Sequence, residues 1–411
     1  MSDNGRQDLV QPALKAPTLN QGSNSVSLRP YLQLEGDFVA SVDSSLKTPL
    51  HSWHVENGGR MVDFAGWSMP VQYTSIMDEH HQTRNAVGMF DVSHMGRLYF
   101  TGADVGEFLD TLTTRRVAGV EAGKIRYSLM TNEQGGILDD VLVYHLPGVT
   151  GEAPFHMMVV NASNRKKIIQ WIESKIPSSS DIVIEDQTRT SAMIAVQGPK
   201  ANAVVKEICD VDPETLKYYT GLTTNVCGHR SIVSRTGYTG EDGCEIICDA
   251  PQAVEIWNAV FERAKKVEGG ATGLAARDTL RLEAAMPLYG HELNEETNPA
   301  QCDLKFAIQM KDRKFMGRSA ILSARKDKTL PIRIGLELEG RRAARENCEI
   351  YSGEEKVGIV TSGTFAPTLQ KSISMGFVGR EFAEPGTELT IDIRGKSHSA
   401  KVVELPFYRR S

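Results

Sequence analysis

Two adjacent carboxylates, Asp139-Asp140, end the glycine-rich run "NEQGGILDD" (132–140) and open a β-branched stretch. Side chains alternate faces along a strand, so Asp140, Leu142 and Tyr144 share one face while Asp139, Val141 and Val143 share the other. If that strand enters an interior, Asp140 meets an apolar and aromatic lining. A carboxylate there needs hydrogen bonds or a cationic or N–H-rich ligand. The alternative is a hairpin in which both aspartates satisfy turn N–H groups, and the spacing leaves both open. "RTGYTGEDGCEI" (235–246) poses the same choice. Its glycines at 237, 240 and 243 either bring Tyr238 and Glu245 beside a planar ligand or form an ordinary hairpin with solvated Glu241 and Asp242. "GLAARDTLRLEAAMPLYG" (273–290) reads as a helix up to Pro287, with Ala276, Leu280 and Ala284 as its apolar stripe. Arg277 and Arg281 flank that stripe. They are either a solvated face with an Arg281–Asp278 pair or cations aimed at a carboxylate in a cavity.

Several chemistries lack their residues. The chain has no G-x-G-x-x-G, no G-x-x-x-x-G-K-[ST], no H-E-x-x-H and no G-x-S-x-G, so neither flavin nor NAD is expected and a serine hydrolase is unsupported. His51-x-x-His54 and His80-His81 have no third spaced ligand, so no metal is expected either. A formal net charge of −6 argues against a nucleic-acid partner, because affinity for phosphate backbones rests on excess Lys and Arg. No apolar run reaches the roughly 18 residues of a membrane span. The six cysteines are scattered without a C-x-x-C, as free thiols in a reducing compartment are.

The elements that would position these residues alternate along the chain. Residues 1–45 are polar, without sustained period and without a secretory signal, and are read as a disordered extension of a cytoplasmic rather than mitochondrial-matrix protein. "LKTPLHSWHVENGGRMVDFAGWSMPVQY" suggests irregular strands and turns, and "SIMDEHHQTRNAV" a helix capped by Ser75. "GKIRYSLMTNEQGGILDDVLVYHL" and "SIVSRTGYTGEDGCEIIC" read as hairpins. "FHMMVVNAS" followed by "NRKKIIQWIESK" reads as a strand and a helix, and "PQAVEIWNAVFERAKK" as another helix. An α+β region over 46–324, of two interleaved domains, thus precedes an all-β barrel or sandwich over 325–411.

Taken in order, "DVSHMG" (91–96), "NEQGGILDDVLVY" (132–144), "QGP" (197–199), "RTGYTGEDGCEI" (235–246), "GLAARDTLRLEAAMPLYGHEL" (273–293) and "VGIVTSGTFAPTLQKSISMGFV" (357–378) closely resemble the glycine cleavage T-protein family. These are tetrahydrofolate-dependent aminomethyltransferases, and the likeness runs from about Leu46 to the C-terminus. Only residues 1–45 and the "PGVTGEAP" loop (147–154) stand out as additions. The resemblance implies a three-domain cloverleaf of mixed α/β folate-binding domains around a central channel, with a C-terminal all-β domain. It implies Asp140 as the catalytic residue. Met95, Tyr127, Asn161 and Tyr238 would line the folate pocket, together with Leu142 and Tyr144 on the Asp140 face. Glu245 would bind the pterin edge, Arg277 the substrate, and Arg409 in "PFYRR" would be a C-terminal pocket residue. The implied partners are tetrahydrofolate and the lipoylated H-protein, acting on a monomer. Two relatives of the same fold are the alternatives: a stand-alone folate-dependent demethylase, and a folate-binding regulatory protein of tRNA modification and iron–sulfur maintenance. The latter carries a K-G-C-Y-x-G-Q-E signature where this chain has "GYTGEDGCE".

Overall fold

The structure, a computed structural model, describes residues 45–149 and 152–410. The extension expected over 1–45 lies outside them except for Ser45, as does part of the 147–154 loop. The chain enters a six-stranded sheet at Gly88–Asp91, leaves to build a five-stranded sheet, and returns to the first at Ser191–Gln197. In the five-stranded sheet the spatial order is Lys124–Thr131, Ile137–Leu146, Phe155–Val160, Gly96–Thr101 and Val183–Asp186, antiparallel throughout. The six-stranded sheet runs Gly221–Val226, His229–Ser234, Gly243–Asp249, Ser191–Gln197, Gly88–Asp91 and Gly270–Ala271.

Strand periodicity gives each sheet two apolar faces. One face of each meets the other sheet: Phe90, Met193, Ala195, Ile232 and Ile247 pack with Ile125, Tyr144, Met157 and Val159 in one buried cluster. The outer face of the five-stranded sheet, with Leu98, Val141, Val143 and Met158, is covered by the helices Val105–Leu112 and Arg165–Glu173. Ile194, Val196, Ile246 and Cys248 on the opposite outside are covered by Ala201–Lys206 and Ala253–Lys265, whose Trp257 is fully buried. The result is helix, sheet, sheet, helix.

The chain crosses between the sheets at 92–95 and at 187–190, where the backbone leaves its ladders inside the protein. Arg97 resolves this. Its side chain is fully buried and donates from Nη1 to Met95 O at 2.6 Å and to Ser93 O at 3.1 Å. Nη2 donates to Ser93 O, Thr188 O and Ser191 O, and Nε to Ser191 Oγ. One guanidinium fork thus satisfies carbonyls of both crossings.

The third unit is a closed barrel of six strands: Ile332–Leu338, Lys371–Val378, Glu355–Ala366, Glu349–Ser352, Glu388–Asp392 and Ser397–Val403. It is joined to the helix Leu274–Glu283 through a buried ion network. Thr361 is a β-bulge, lying between Val360, which pairs Gly376, and Ser362, which pairs Met375. The bulge turns consecutive hydroxyls inward. Thr361 Oγ1 donates to Glu292 Oε1 at 2.6 Å, and Ser362 Oγ accepts from Arg281 at 2.8 Å. Arg281 also meets Glu292 at 3.1 Å and Asp278 at 2.8 Å.

Two local expectations are corrected. His51–Glu56 is a helix inside the stretch read as strands and turns, too short for its period to show. The helix opening "GLAARDTL" stops at Glu283, not at Pro287. Ala285 takes φ 53°, and the Ala285 and Met286 N–H groups fold back onto Leu282 O and Arg281 O. A proline disfavours helical backbone at the residue before it, so the turn closes early. All six cysteines are free, and Cys244, Cys248 and Cys302 are buried.

Replacing Arg97 by Met would keep the length and strip the donors from four buried carbonyls, each costing about 1–3 kcal/mol when left unpaired. The variant is expected to lose at least ~3 kcal/mol in urea unfolding. A loss under ~1 kcal/mol would show that the crossings hold without it.

Candidate active site

The turn before the two carboxylates takes care of its own N–H groups. Asn132 Oδ1 accepts from Gly136 N at 2.8 Å, so the aspartates are not turn caps. Gly136 is there because the chain lies against it: a Cβ would stand 1.8 Å from Glu295 O. The same loop receives Ile137 N on Asn294 O and Thr297 O, which anchors the strand start.

Met130 pairs with Asp139 and Thr131 with Ile137, so Leu138 is a bulge. From there the strand alternates as its sequence requires. Asp139 lies on the helix-covered face with Leu138, Val141 and Val143, and Asp140 on the face shared with Leu142 and Tyr144. Continuing the register of Leu142 with Val159 by two residues sets Asn161 opposite Asp140. Asn161 Nδ2 donates to Asp139 Oδ1 and to Asp140 Oδ1, each at 2.8 Å. Asp139 also accepts from Asn161 N at 3.0 Å and Asn164 Nδ2 at 2.7 Å. Tyr127 OH donates to Asp140 Oδ2 at 3.1 Å, and its ring stacks on exposed Phe306 at 5.6 Å.

No positively charged side chain is bonded to either carboxylate among the described residues. Burial, then the charge of Asp140, raises the proton affinity of Asp139 above the usual carboxylate range despite its amide bonds. Burial likewise raises that of Asp140, opposed by Asn161 and Tyr127. The Tyr127 hydroxyl is pushed well above its ordinary value by burial and by Asp140.

The facing sheet contributes a second group. Glu245 pairs with Ala195 and Ser234, is 4 % exposed, and accepts the Thr236 hydroxyl on Oε2. Burial raises its pKa, opposed by Thr236 and Arg277. Arg277 lies over the Tyr238 ring at 5.1 Å and the Phe90 ring at 5.8 Å. Its buried Nη1 has no hydrogen-bond partner among the described residues. Burial lowers its pKa against the opposing charge of Glu245. Tyr238 OH donates to Pro287 O, which fixes the ring under the guanidinium. The strand rises ~3.3 Å per residue, so Asp140 and Tyr144, which feels the charge of Glu245, are roughly 13 Å apart along it. Half-buried Met95 and Leu142 pack against the apolar cluster that contains Tyr144.

Of the residues singled out by sequence, Tyr127, Asp140 and Asn161 form one hydrogen-bonded cluster; Arg277 lies over the Tyr238 ring and within the field of Glu245, without a hydrogen bond between them. Met95, Leu142 and Tyr144 belong to the shared core. Arg409 is exposed and shares no hydrogen bond, ion pair or ring contact with them, whereas its neighbour Tyr408 donates to Glu241 at 2.7 Å. Glu241 is therefore not solvated, as the hairpin alternative would have it. It is 6 % exposed and paired with Arg84 at 2.8 Å, and Asp242 pairs with Arg235. Gly237 lets this loop close onto Gln197, whose Oε1 would lie 1.9 Å from a Cβ there. Three neighbours were not legible in advance: Asn164, Thr236 and Phe306. Asn164 stands three residues after Asn161, a spacing that could have suggested a paired amide site. Phe306 carries no local signal. Among the described residues no group of three His, Cys, Asp or Glu side chains could hold a metal ion, and no helix is long and apolar enough to cross a membrane.

Comparison with known proteins identifies the family. Residues 50–312 match the GCVT N-terminal domain, and residues 333–409 the glycine cleavage T-protein C-terminal barrel domain. The chain is 42 % identical over 366 residues to an aminomethyltransferase of Thermotoga maritima, covering 89 % of this chain and 98 % of that one. To an aminomethyltransferase of Corynebacterium jeikeium it is 40 % identical over 388 residues, covering 89 % and 98 %. The crystal structure of glycine cleavage system aminomethyltransferase T from Bartonella henselae superposes with a TM-score of 0.81 at 30 % identity, covering 88 % of this chain and 98 % of that chain. The chain belongs to the glycine cleavage T-protein family. It is an aminomethyltransferase, and nothing in the comparisons favours the demethylase or the regulatory alternative.

The carboxylate pair has a consequence for stability. Its folded state holds protons more tightly than the unfolded chain, so its favourable contribution is present at low pH. That contribution is lost as pH rises from the ordinary carboxylate range through the raised folded-state value. The urea midpoint of Asp140→Asn relative to the parent is therefore expected to increase between pH 4.5 and 8. A pH-independent difference would mean that the pair does not retain protons on folding.

Proposed function

We propose that the one-carbon acceptor is tetrahydrofolate and the donor the aminomethyl-dihydrolipoyl arm of H-protein, in a cytoplasmic glycine cleavage system. Folate supplies two amine nitrogens, N5 and N10, that between them take up the methylene carbon. In the balanced reaction the C–S and C–N bonds of S–CH₂–NH₃⁺ break and two C–N bonds form. The two protons leaving the folate nitrogens end on sulfur and on ammonia, giving a thiol and ammonium.

The site fits such a ligand on three counts. Glu245 holds Thr236 on one oxygen and keeps the other to accept N–H bonds from an aminopyrimidine edge. Arg277 is a buried cation with donors to spare. Met95, Leu142 and the Tyr238 ring offer apolar surface to a planar ring. Asp140, fixed by Asn161 and Tyr127, accepts an N–H from the reacting end, orients that nitrogen, and offsets positive charge as it develops on the carbon. The observation that carries this is a half-buried carboxylate held, among the described residues, by neutral donors only, beside a second buried carboxylate: a site short of one positive charge.

The test is to incubate the protein with aminomethyl-loaded H-protein, with and without tetrahydrofolate, and to follow ammonia and methylenetetrahydrofolate together. Folate-dependent release of both is expected, and folate binding without turnover would overturn the reading. Asp140→Ala is expected to lower kcat by ~10²–10³ with a small change in KM, the range for a group aimed at developing charge. Glu245→Gln is expected to raise KM for tetrahydrofolate by roughly ten- to a hundredfold, about 1.5–3 kcal/mol for a charged hydrogen bond, with kcat nearly kept. Equal losses in both parameters for the two variants would remove the division of roles between binding and chemistry.

A further inference from the structure

Of the carboxylate pair, Asp139 is the member that the transfer does not touch. It lies on the far side of the strand from Asp140, under the helix Arg165–Glu173, and is fully buried. Among the described residues all its donors are neutral amides: Asn161 N, Asn161 Nδ2 and Asn164 Nδ2. An amide nitrogen carries two hydrogens, and in Asn161 one is given to each aspartate at the same 2.8 Å. The two Oδ1 atoms are thus tied to one nitrogen, which holds two negative charges close together with no cation between them.

The groups facing the pair do not supply that cation. Tyr127 reaches it from the neighbouring strand, Tyr219, Tyr238 and Cys302 lie within electrostatic reach of Asp140, and Tyr289 within that of Asp139. None carries a positive charge at neutral pH. Lys167, on the covering helix, is bonded to the Tyr289 hydroxyl and Glu295, each at 2.8 Å. A buried carboxylate used only for structure is ordinarily paired or replaced by an amide.

Resting on the function proposed above, we propose that Asp139 is a positioning residue for the transfer: through Asn161 it orients Asp140, and the two carboxylates, with no cation bonded to either among the described residues, act as one proton-sharing pair that answers to a cationic aminomethyl group. Like charges held this close cannot both ionise freely. The pair therefore takes up one proton over a range where an isolated aspartate would not, and its ionisation steps belong to both residues together. A cation arriving at Asp140 supplies the charge the site lacks.

The experiment follows the carboxyl carbons of ¹³C-labelled aspartate by NMR in the ligand-free protein, with the Asp140 signal assigned from Asp140→Asn. The titration midpoint of Asp140 is expected to fall by about one unit or more in Asp139→Asn, the size of a like-charge effect. Asp139→Asn turns an amide hydrogen toward Asn161 N–H and so risks misfolding. Asn164→Ala is the second variant. By taking a donor from Asp139 it keeps that residue protonated to higher pH, and it is expected to lower the Asp140 midpoint in the same direction. In the transfer assay the acid limb of kcat should move down with the NMR midpoint while KM for tetrahydrofolate stays within about twofold. Coupled carbon titrations in a protein without transfer activity would overturn the functional reading but not the coupling. Active protein whose Asp140 signal and acid limb ignore both substitutions would overturn the role given to Asp139.

Discussion

The arrangement depends on one buried guanidinium. A chain that starts a sheet, builds a second and returns must cross between them twice inside the protein, where carbonyls off the ladder have no water to bond. Arg97 answers both crossings with one planar fork, donating to Ser93 and Met95 on the outward path and to Thr188 and Ser191 on the return. Lysine, with three donors on one nitrogen, could not serve all of these acceptors at once. Because the crossings are pinned to each other, the two sheets meet in a fixed relation. Asp140 on one inner face and Glu245 on the other are then held at fixed positions along the layer between the sheets.

Two β-bulges convert this scaffold into aimed side chains. Strict alternation would put Leu138 and Asp139 on opposite faces; the bulge puts both on the helix side, while alternation with Leu142 and Tyr144 turns Asp140 to the interior. At Thr361 the extra residue directs two consecutive hydroxyls to Glu292 and Arg281, which couples the barrel to the helix carrying Arg277. In both places the inserted residue changes direction over one peptide, which a regular strand cannot do.

The charges divide into two populations. Arg84, Arg97 and Arg281 are surrounded by acceptors: Arg84 meets Glu241, Glu283 and two carbonyls and stacks on Tyr408, and Arg281 meets Asp278 and Glu292. These are closed networks, and desolvation makes opening any of them costly. Among the described residues, Asp139 and Asp140 are without a bonded cation, and Arg277 has a buried nitrogen without a partner. A ligand with N–H donors at one end and a cationic carbon carrier at the other would meet the demand of the carboxylates. A site that is preorganised in this way needs no reorganisation when charge develops.

The sequence by itself determined the elements and much of the chemistry. Period-two patterning placed Asp140 with Leu142 and Tyr144, Ser75 capped its helix through the Asp78 N–H, and the ordered motifs pointed to the family and to its barrel. These are local properties, set by alternation, capping and turn chemistry within a few residues. Tertiary structure decided the rest. Asn161 meets Asp140 only through the register of two strands, and Glu241 is buried only because Arg84 and Tyr408, 157 and 167 residues away, converge on it. Arg409 is left in solvent although Tyr408 beside it is tied to Glu241. Whether Asp139 capped a turn or shared an amide with Asp140 turned on a bulge at Leu138 and on Asn132 satisfying the turn first. A carboxylate's partners are chosen by what the fold brings within hydrogen-bond reach, and no spacing along the chain encodes that distance.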